Sequence, residues 1–259
     1  MRIVIKIGTS TLAYATGRLN IRRVEELCRV MCDLKNAGNE IILISSGAIG
    51  MGVGKLGLKS RPEDIPTKQA AAAVGQCELM YTYDKLIGGY KHTVAQILLT
   101  GEDIENEKRC ENFRNTVFRL LELGAFPIVN ENDTVATDEI VIGDNDTLAA
   151  IVAANVGADL LVLLSDIDGL YTKDPHKYLD ATFLSEVSAL TPEILSLGEG
   201  KGSELGTGVM KTKIHAAAIA MESGIDMFIA NGSRPSVLYN IADGLPFGTK
   251  FFGRGKETK

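Results

Sequence analysis

The fold is decided by the stretch RIVIKIG at residues 2–8, a run of β-branched apolar residues that ends in a glycine. It predicts a strand, and EIILIS at residues 40–45 predicts a second one, because continuous apolar runs are typical of strands buried on both faces. Between them, apolar residues from Ile21 to Leu34 follow the 3.6-residue period of a helix that Asn20 caps and Gly38 ends. This succession of strand, helix and strand is the unit from which parallel sheets are built.

The same alternation continues along the rest of the chain. Further strands are predicted at residues 93–99, 126–130, 159–165 and 226–230, and further helices at residues 66–87, 106–123, 208–223 and from residue 145 onwards. A hairpin or loop through Val141 is expected before the helix at residue 145. Because we find no repeat, low-complexity segment or linker, we expect a single α/β domain over residues 1–259. Its architecture would be a three-layer α/β/α sandwich around a mostly parallel central sheet.

The composition is that of an ordinary soluble domain, with 45% apolar and 23% charged residues among 259. A net charge of −6 argues against general attraction to nucleic acid, although a site can still be locally positive. No apolar run approaches the roughly 18 residues of a membrane span, and no signal peptide is evident, so we expect a cytoplasmic protein. Cys28 and Cys32 fall in an apolar helical pattern and are predicted to be core thiols, and no His/Cys cluster has zinc-ligand spacing.

Polar segments follow the predicted strands at the sheet edge where α/β folds bind their ligands. KIGTS at residues 6–10 and SSGAIG at residues 45–50 could bind an anion through backbone N–H groups, or could simply form tight turns. The segment from Gly52 to Gly57 matches G-x-G-x-x-G, but it starts seven residues beyond its strand, and no acidic residue closes a following strand. We interpret this match as chance.

Two lysine positions indicate a negatively charged ligand. Lys6 lies inside an apolar strand, where a lysine is costly to bury without an anionic partner; the alternative is a solvated position at a sheet edge. Late in the chain, GTGVMKTK at residues 206–213 places Lys211 and Lys213 at the start of a helix, the end that prefers anions. This arrangement favours a strongly negative ligand, and a solvent-exposed pair of lysines is the alternative.

Carboxylates and amides form the complementary set. Its members are Asp133, Asp144, Asp146, Asn130, Asn132 and Asn145. In the stretch IGDNDTLAA, residues 142–150, a helix cap accounts for one or two of the three polar residues and leaves another to be explained. Lysines and glycine turns suit phosphate groups, whereas amides and carboxylates suit an ammonium group or Mg²⁺. The residues therefore predict a kinase that acts on a small amino-bearing metabolite.

Eight motifs carry a resemblance to a known family. They are VIKIGTS, ILISSGAIGMG, KQAAAAVGQ, PIVNENDTVAT, IGDNDTLAA, LLVLLSDIDGLYTKDP, GTGVMKTK and SGIDMFIANG. In this order and spacing, from residue 2 to about residue 250, the chain resembles the glutamate 5-kinases of the amino acid kinase family. Related kinases of acetylglutamate, aspartate, carbamate or UMP share the early lysine and glycine and the late lysine. They would not be expected to carry NEND and GDND together at this spacing.

The resemblance implies that the chain phosphorylates the γ-carboxylate of L-glutamate with ATP and Mg²⁺, giving L-glutamyl 5-phosphate for proline synthesis. It implies catalytic roles for Lys6, Asp146 and Lys213, in which Asp146 holds the lysines in register. Glutamate would be bound by Ser46, Asp133 and Asn145. The ATP-binding residues would be Lys6, Gly8, Ser165, Asp166, Thr207, Gly208, Val209, Met210, Lys211, Thr212 and Lys213, and no protein ligand to a metal is predicted.

The resemblance also bears on assembly and regulation. It implies a homodimer or homotetramer, feedback inhibition by proline, and neither a nucleic-acid nor a membrane partner. The N-terminal part would mainly bind glutamate, and the C-terminal part ATP. Ser165 stands where the family often has threonine, and Val209 replaces a glycine of the nucleotide loop. Because the sequence ends at Lys259, we expect it to lack the PUA domain of many relatives. An amino acid kinase with another small acceptor, and a non-catalytic nucleotide- or glutamate-binding module, are the alternative functions.

Overall fold

The computed structural model describes residues 1–14, 18–135, 144–173, 178–199 and 207–255, without the side chains of residues 199 and 207–209. The strands in these ranges are β1 (Arg2–Ile7), β2 (Glu40–Ile44), β3 (Val94–Leu99), β4 (Phe126–Glu131), β5 (Leu160–Ser165), β6 (Leu170–Tyr171), β7 (Phe183–Leu184), β8 (Glu186–Val187), β9 (Asp226–Asn231) and β10 (Thr249–Phe251). The helices are α1 (Thr9–Leu12), α2 (Ile21–Asn36), α3 (Ala48–Leu56), α4 (Ile65–Gly88), α5 (Gly101–Glu105), α6 (Glu107–Glu122), α7 (Asn145–Val156), α8 (Pro192–Glu199), α9 (Thr207–Glu222) and α10 (Val237–Ala242).

Eight of the described strands form one sheet in the order β3-β4-β2-β1-β5-β9-β10-β8, and β6 and β7 form a separate antiparallel pair. Neighbouring strands of the large sheet are parallel, except that β9 and β10 are antiparallel. Near the centre, Val4 of β1 lies opposite Ile42 of β2 on one side and Leu161 of β5 on the other. The prediction of a mostly parallel sheet is confirmed.

Side chains of β1 alternate between two apolar cores, one on each face of the sheet. Ile3, Ile5 and Ile7 pack with apolar residues of α2, α4 and α10. Val4 packs on the opposite face with apolar residues of α6, α7 and α9, so the predicted three-layer architecture is confirmed. Because alternate residues of a strand share a face, Lys6 belongs to the face of Val4, where α7 and α9 lie.

Helix α3 occupies residues for which the sequence analysis predicts only a polar turn. Its glycines lower the intrinsic helix propensity of this segment, so contact with another helix has to stabilise it. It crosses α4 so closely that a Cβ atom on Gly52 would lie 1.8 Å from the carbonyl oxygen of Ala71. A Cβ atom on Gly75 would lie 1.7 Å from the carbonyl oxygen of Ala48. Gly52 of the G-x-G-x-x-G segment therefore serves a helix crossing.

Other elements differ from the predictions in length or escape them. The helix predicted at residues 106–123 is α6, and the short helix α5 precedes it, started by a capping box of Thr100 and Asp103. Strands β8 and β10 have only two and three residues, too few for an alternating pattern to be recognised. The hairpin or loop expected through Val141 lies outside the described residues.

The predicted cap and the predicted core thiols of α2 are confirmed. The side-chain oxygen of Asn20 accepts a hydrogen bond from the N–H of Arg23 at 3.3 Å, and Cys28 and Cys32 are buried with free thiols. None of the helices within the described ranges combines the length and the apolar character that crossing a bilayer would need.

Candidate active site

Four neighbouring parallel strands end at one edge of the sheet and bring polar side chains together there. β1 ends beside Gly8, β2 beside Ser45 and Ser46, β4 at Glu131 and β5 at Ser165. Helix α7 begins near this edge, because Asn145 at its first position contacts Ser45 and Ser46. This is the edge at which α/β folds bind their ligands.

Asp144 is the cap of helix α7. Its Oδ1 accepts hydrogen bonds from the backbone N–H groups of Asp146 at 2.7 Å and Thr147 at 2.8 Å. Its Oδ2 accepts another from the Thr147 hydroxyl at 2.9 Å. One aspartate thus satisfies two of the free N–H groups of the first turn. Its neighbours Asn145 and Asp146 are available for other contacts.

Asp146 joins two buried lysines that come from different elements. Its Oδ1 lies 2.6 Å from Nζ of Lys6 in β1, and its Oδ2 lies 2.9 Å from Nζ of Lys213 in α9. The Thr212 hydroxyl donates to the same Oδ2 at 3.1 Å. The three charged side chains expose only 11%, 5% and 4% of their surface, for Lys6, Asp146 and Lys213 respectively. Lys6 therefore has the anionic partner that its burial requires.

The charges around Asp146 decide its protonation. Burial alone would raise the pKa of its carboxyl group, but the two nearby ammonium charges and their hydrogen bonds outweigh burial and hold that pKa below its usual value. The carboxylate is therefore ionised at neutral pH, and together with Lys6 and Lys213 it forms a cluster with one excess positive charge. Such a cluster can attract phosphate oxygens to the sheet edge.

Asn145 links the ends of two strands. Its Nδ2 lies 2.8 Å from the carbonyl oxygen of Ser45, 2.7 Å from Oγ of Ser46 and 3.1 Å from Oδ1 of Asn130. Two of the three predicted glutamate-binding residues, Ser46 and Asn145, are thus in direct contact. Ser46 is buried, so the pair forms a preordered corner of the site.

Asp133, the third predicted glutamate-binding residue, lies two positions beyond β4 and is half-buried. Burial raises the pKa of its carboxyl group, and the charge of Arg61 opposes that rise. A carboxylate in this environment gains from a cationic partner. It stands beyond the same strand that carries Asn130, the partner of Asn145.

Two polar residues of α4, Gln76 and Tyr83, also reach this edge of the sheet and were not predicted from the sequence. Gln76 accepts a hydrogen bond from Nδ2 of Asn130 at 2.9 Å, and the hydroxyl of Tyr83 lies 2.9 Å from that of Ser45. The only available signal was a glutamine and a tyrosine, seven residues apart, in an otherwise apolar helical stripe.

Gly8 lies at the end of β1, near the middle of the sheet and two residues after Lys6. Its N–H donates to the carbonyl oxygen of Leu164 at 3.3 Å, and its own carbonyl oxygen accepts the N–H groups of Thr11 and Leu12. The N–H of Gly8 is therefore engaged in the sheet, and the KIGTS segment does not offer it to an anion. A Cβ atom built on Gly8 would lie 3.7 Å from Nζ of Lys6, directly beside the charged cluster.

The second anion-binding candidate, SSGAIG, turns from β2 into α3 through Gly47. This glycine has a φ of 91°, a left-handed conformation that L side chains rarely adopt. The N–H of Ser45 donates to the carbonyl oxygen of Val129 in β4 at 2.9 Å, which extends the sheet to the start of the turn. The segment therefore combines a tight turn with a helix N-terminus.

Ser165 and Asp166 mark the end of β5, next to β9. The hydroxyl of Ser165 donates to the exposed carboxylate of Asp166 at 3.0 Å, and the carbonyl oxygen of Ser165 accepts the N–H of Gly232 at 2.7 Å. Beside them, Nδ2 of Asn231 donates to Asp168 at 2.8 Å. These polar groups lie on the β9 side of β1, whereas Ser46 follows β2 on the other side.

Helix α9 begins at Thr207, and the side chains of its first three residues, Thr207, Gly208 and Val209, lie outside the description. Met210 packs against the core, Lys211 is exposed, and Lys213 is buried. The two lysines are expected at the helix start, but they are its fifth and seventh residues, beyond the first turn. The charge of Lys213 is balanced by Asp146 rather than opposed by the helix dipole.

Known proteins resemble this chain over nearly its whole length. The sequence model of the amino acid kinase family matches residues 1–231. A glutamate 5-kinase of Clostridium perfringens is 52% identical over 260 residues, which cover 99% of this chain and 97% of that protein. A glutamate 5-kinase of Listeria monocytogenes is 50% identical over 99% of this chain and 94% of that protein.

Among solved structures, carbamate kinase from Giardia lamblia bound to AMP-PNP superposes with a TM-score of 0.71 at 16% identity, over 97% of this chain and 98% of that one. At this identity the likeness concerns the fold. The sequence comparisons show more than the fold. Because the family model and the Clostridium perfringens relative each match most of this chain, the chain belongs to the amino acid kinase family.

Proposed function

We propose that this chain is a kinase that transfers the γ-phosphoryl group of ATP to the γ-carboxylate of L-glutamate. The product would be L-glutamyl 5-phosphate, the acyl phosphate that starts proline synthesis. The observation that carries the proposal is the buried cluster of Lys6, Asp146 and Lys213 at the ligand-binding edge of the sheet. The glutamate 5-kinases that are about half identical to this chain supply the identity of the acceptor.

The acceptor needs no base in this reaction. The γ-carboxyl group of glutamate has a reference pKa near 4.3, so it is already an anionic nucleophile at neutral pH. The obstacle is the repulsion between this carboxylate and the triphosphate. Catalysis then rests on positioning and on positive charge directed at the transferring group.

Lys6 and Lys213 would supply that charge. An ammonium group has three N–H donors; Lys213 directs one of them to Oδ2 of Asp146, and Nζ of Lys6 forms an ion pair with Oδ1. The remaining donors can reach oxygens of the phosphoryl group while Asp146 keeps both nitrogen atoms in place. Asp146 would therefore act by positioning the lysines, and the excess positive charge of the cluster would stabilise the transition state.

Ser46, Asp133 and Asn145 would bind glutamate. The contact between Ser46 and Asn145, at 2.7 Å, lets both act on one substrate group. The carboxylate of Asp133 is suited to the α-ammonium group, whose arrival would lower the pKa that burial raises. Removal of an ammonium group from the acceptor should therefore cost affinity at this end of the site.

The nucleotide would lie on the other side of Lys6. Gly8, Ser165 and Asp166 line the ends of β1 and β5, and residues 207–213 form the start of α9, whose Lys213 pairs with Asp146. The buried hydroxyl of Ser165 and the exposed carboxylate of Asp166 would offer the nucleotide two adjacent polar groups at this position. In this arrangement the phosphates would point toward Lys213 and the acceptor.

Mg²⁺ would enter with ATP as part of the substrate. Magnesium in kinases usually takes one or two carboxylates besides phosphate oxygens and water. The described residues contain no group of three or more His, Cys, Asp or Glu side chains that could hold a metal ion. Both oxygens of Asp146 face ammonium groups. The residues therefore fit a metal carried by the nucleotide better than one held in a protein cage.

The proposal is tested by trapping the product with hydroxylamine, which converts an acyl phosphate to a coloured hydroxamate. With MgATP, we expect hydroxamate and ADP from L-glutamate, and little ADP release with aspartate, N-acetylglutamate or UMP. Activity with N-acetylglutamate but not with glutamate would overturn the assignment, because an acylated amine carries no charge for Asp133. Absence of turnover with all four, together with tight ATP binding, would favour a non-catalytic module.

Four further expectations accompany this function. A homodimer or homotetramer in solution would be measured by light scattering, and feedback inhibition by proline by its effect on the hydroxamate assay. A cytoplasmic location and a single domain over residues 1–259 stay predictions from the sequence.

A further inference from the structure

Helices α3 and α4 form a hairpin that projects from the ligand-binding edge of the sheet. The close contacts of Gly52 with Ala71 and of Gly75 with Ala48 show that the two helices run in opposite directions. Helix α4 leads back to the first residue of β3 at the opposite edge, so α4 runs against the strands and α3 runs with them. Starting beside the end of β2, α3 therefore leads away from the ligand-binding edge over about 13 Å of helix.

The loop at the far end of this hairpin, residues 58–64, is anchored on both sides. Gly57 ends α3 in the left-handed conformation, with a φ of 66°, and Asp64 caps α4 by accepting the N–H of Thr67 at 2.9 Å. Arg61 lies in the middle of the loop and is exposed. Its guanidinium group has neither an ion pair nor a hydrogen bond with the residues that the structure describes, so its donors are available to a ligand.

Arg61 acts on the glutamate end of the candidate active site. Burial raises the pKa of the Asp133 carboxyl group, and the positive charge of Arg61 is what opposes that rise. The hairpin therefore brings its loop back over Asp133. The described side chains of Arg61 and Asp133 are close enough for their charges to interact, yet they do not form an ion pair. The space between them suits a group that carries one charge of each sign.

The α-carbon of an amino acid carries such a group. Its ammonium group would face Asp133, and its carboxylate would then lie within a few ångströms of the same aspartate. Two carboxylates at that distance repel each other unless a cation stands nearby. None of the predicted glutamate-binding side chains, Ser46, Asp133 and Asn145, is cationic, and Lys6 and Lys213 are paired with Asp146.

We propose that Arg61 binds the α-carboxylate of the acceptor and so restricts the acceptor to α-amino acids. The planar guanidinium group offers two parallel N–H donors, which match the two oxygens of a carboxylate. Asp133 and Arg61 would hold the two charges of the α-carbon, and the γ-carboxylate would be left to face Lys6. The inference rests on the proposed function, because it assumes that glutamate is bound with its amino group at Asp133.

The test compares L-glutamate with its α-amide, which keeps the γ-carboxylate and the ammonium group but has a neutral group in place of the α-carboxylate. For Arg61→Met, the KM for glutamate should rise by about tenfold or more, as for a lost hydrogen bond between charged groups. The KM for the α-amide, or its inhibition constant if it is not phosphorylated, should stay within about threefold. So should kcat, because Arg61 would contact the end of the substrate that does not react.

Two further variants separate a direct contact from a general effect of charge. Lys59→Met is the matched control, since it removes the same charge from an exposed position of the same loop, and both constants should stay at parental values. Arg61→Lys keeps the charge but loses the planar pair of donors, so it should restore only part of the affinity for glutamate. An equal loss of affinity in Lys59→Met would assign the effect to long-range attraction and overturn the inference.

The remaining outcomes are also decisive. Equal weakening of glutamate and its α-amide in Arg61→Met would give Arg61 a structural role, and an unchanged KM for glutamate would exclude any contact; either result overturns the inference. A parent enzyme that forms no hydroxamate from glutamate would contradict the proposed function, and the inference would fall with it. An active parent that shows no preference for glutamate over the α-amide, or whose preference survives Arg61→Met, would contradict the inference alone.

Discussion

At the scale of single residues, the structure divides three tasks among three neighbours. Asp144 makes the cap bonds of α7, Asn145 holds the corner with Ser46, and Asp146 pairs with both lysines. This division separates two explanations that the sequence leaves open for Asp146. Because Asp144 already caps α7, the position of Asp146 is explained by its charge, which pairs with the two lysines.

Asp146→Asn should lower kcat by roughly 10²–10³-fold, the range measured when one electrostatic contact to a transition state is removed. The amide keeps the shape of the carboxylate and leaves the cap of α7 intact, but no anion remains between the two ammonium groups. The KM values for glutamate and ATP should change by less than about threefold, because ground-state contacts are retained. Steady-state kinetics decides, and a kcat near that of the parent would contradict a role for this charge.

Lys6→Met and Lys213→Met should each lower kcat by orders of magnitude, while the melting temperature changes little. Each variant removes one cation from a nearly dry site but leaves Asp146 the other, so no charge is left buried alone. Hydroxamate formation and thermal unfolding measure the two effects. Lys250→Met is the matched control, because this lysine also pairs with an aspartate, Asp226, at 3.3 Å. A kcat within about threefold of the parent, or 0.7 kcal/mol, would exclude the assignment.

The need of Lys6 for an anion could be predicted from the sequence, because an apolar strand is a costly place for an ammonium group. The identity of its partner could not be predicted from spacing, since Asp146 comes much later in the chain, and it came from the family resemblance. Gln76 was missed for a different reason. In an alanine-rich helix, one glutamine looks like a solvent-facing residue until its partner is known.

At the scale of elements, the crossing of α3 and α4 holds the turn that contains Ser46. Helix α3 could not be predicted from the sequence, because its glycines are typical of a loop and its stabilising contact comes from α4, not from intrinsic propensity. The strands and the long helices were predictable because their apolar periods are local. Elements stabilised mainly by packing on others, such as α3 and β10, were not.

Gly75→Ala should destabilise the protein by about 1–3 kcal/mol, the usual cost of overpacking a tight contact. The added Cβ atom would lie 1.7 Å from the carbonyl oxygen of Ala48, so α3 must move and take the Ser46 turn with it. Gly88→Ala, near the end of the same helix, is the control. Apart from its chain neighbours and the backbone of its own helix, no described atom lies within 4 Å of its added Cβ, and we expect a small gain from helix propensity. Urea unfolding of both variants measures the difference; equal stabilities would contradict so close a crossing.

At the scale of the whole molecule, β1 is the strand on which both cores and the charged cluster converge. The fold class, the parallel sheet and the three layers could be predicted, because they follow from the alternation of strands and helices along the chain. The positions of β8 and β10, the short strands that lie beyond β9 in the sheet, could not be predicted, because their pairing is specified by partners distant in sequence.

The charged cluster should also appear in the acid stability of the molecule. The folded-state pKa of Asp146 lies below that of the unfolded chain, near 3.9, so its contribution to stability is present above that pH and is lost as the pH falls through the folded value. The parent should therefore be more stable than Asp146→Asn at neutral pH, by an amount that shrinks below about pH 4. Urea unfolding from pH 7 to pH 3 measures this gap, and a gap that widens on acidification would contradict it.

The place of β1 in the sheet has a consequence for biosynthesis. This strand leaves the ribosome before its partners in the sheet, yet one of its two edges pairs with β5, which is made about 150 residues later. Until then its backbone N–H and C=O groups on that side are open to other strands, and for most of that time Lys6 lacks Asp146, its ion-pair partner from α7. Nascent chains stalled before residue 160 should therefore be the species that depends most on chaperones.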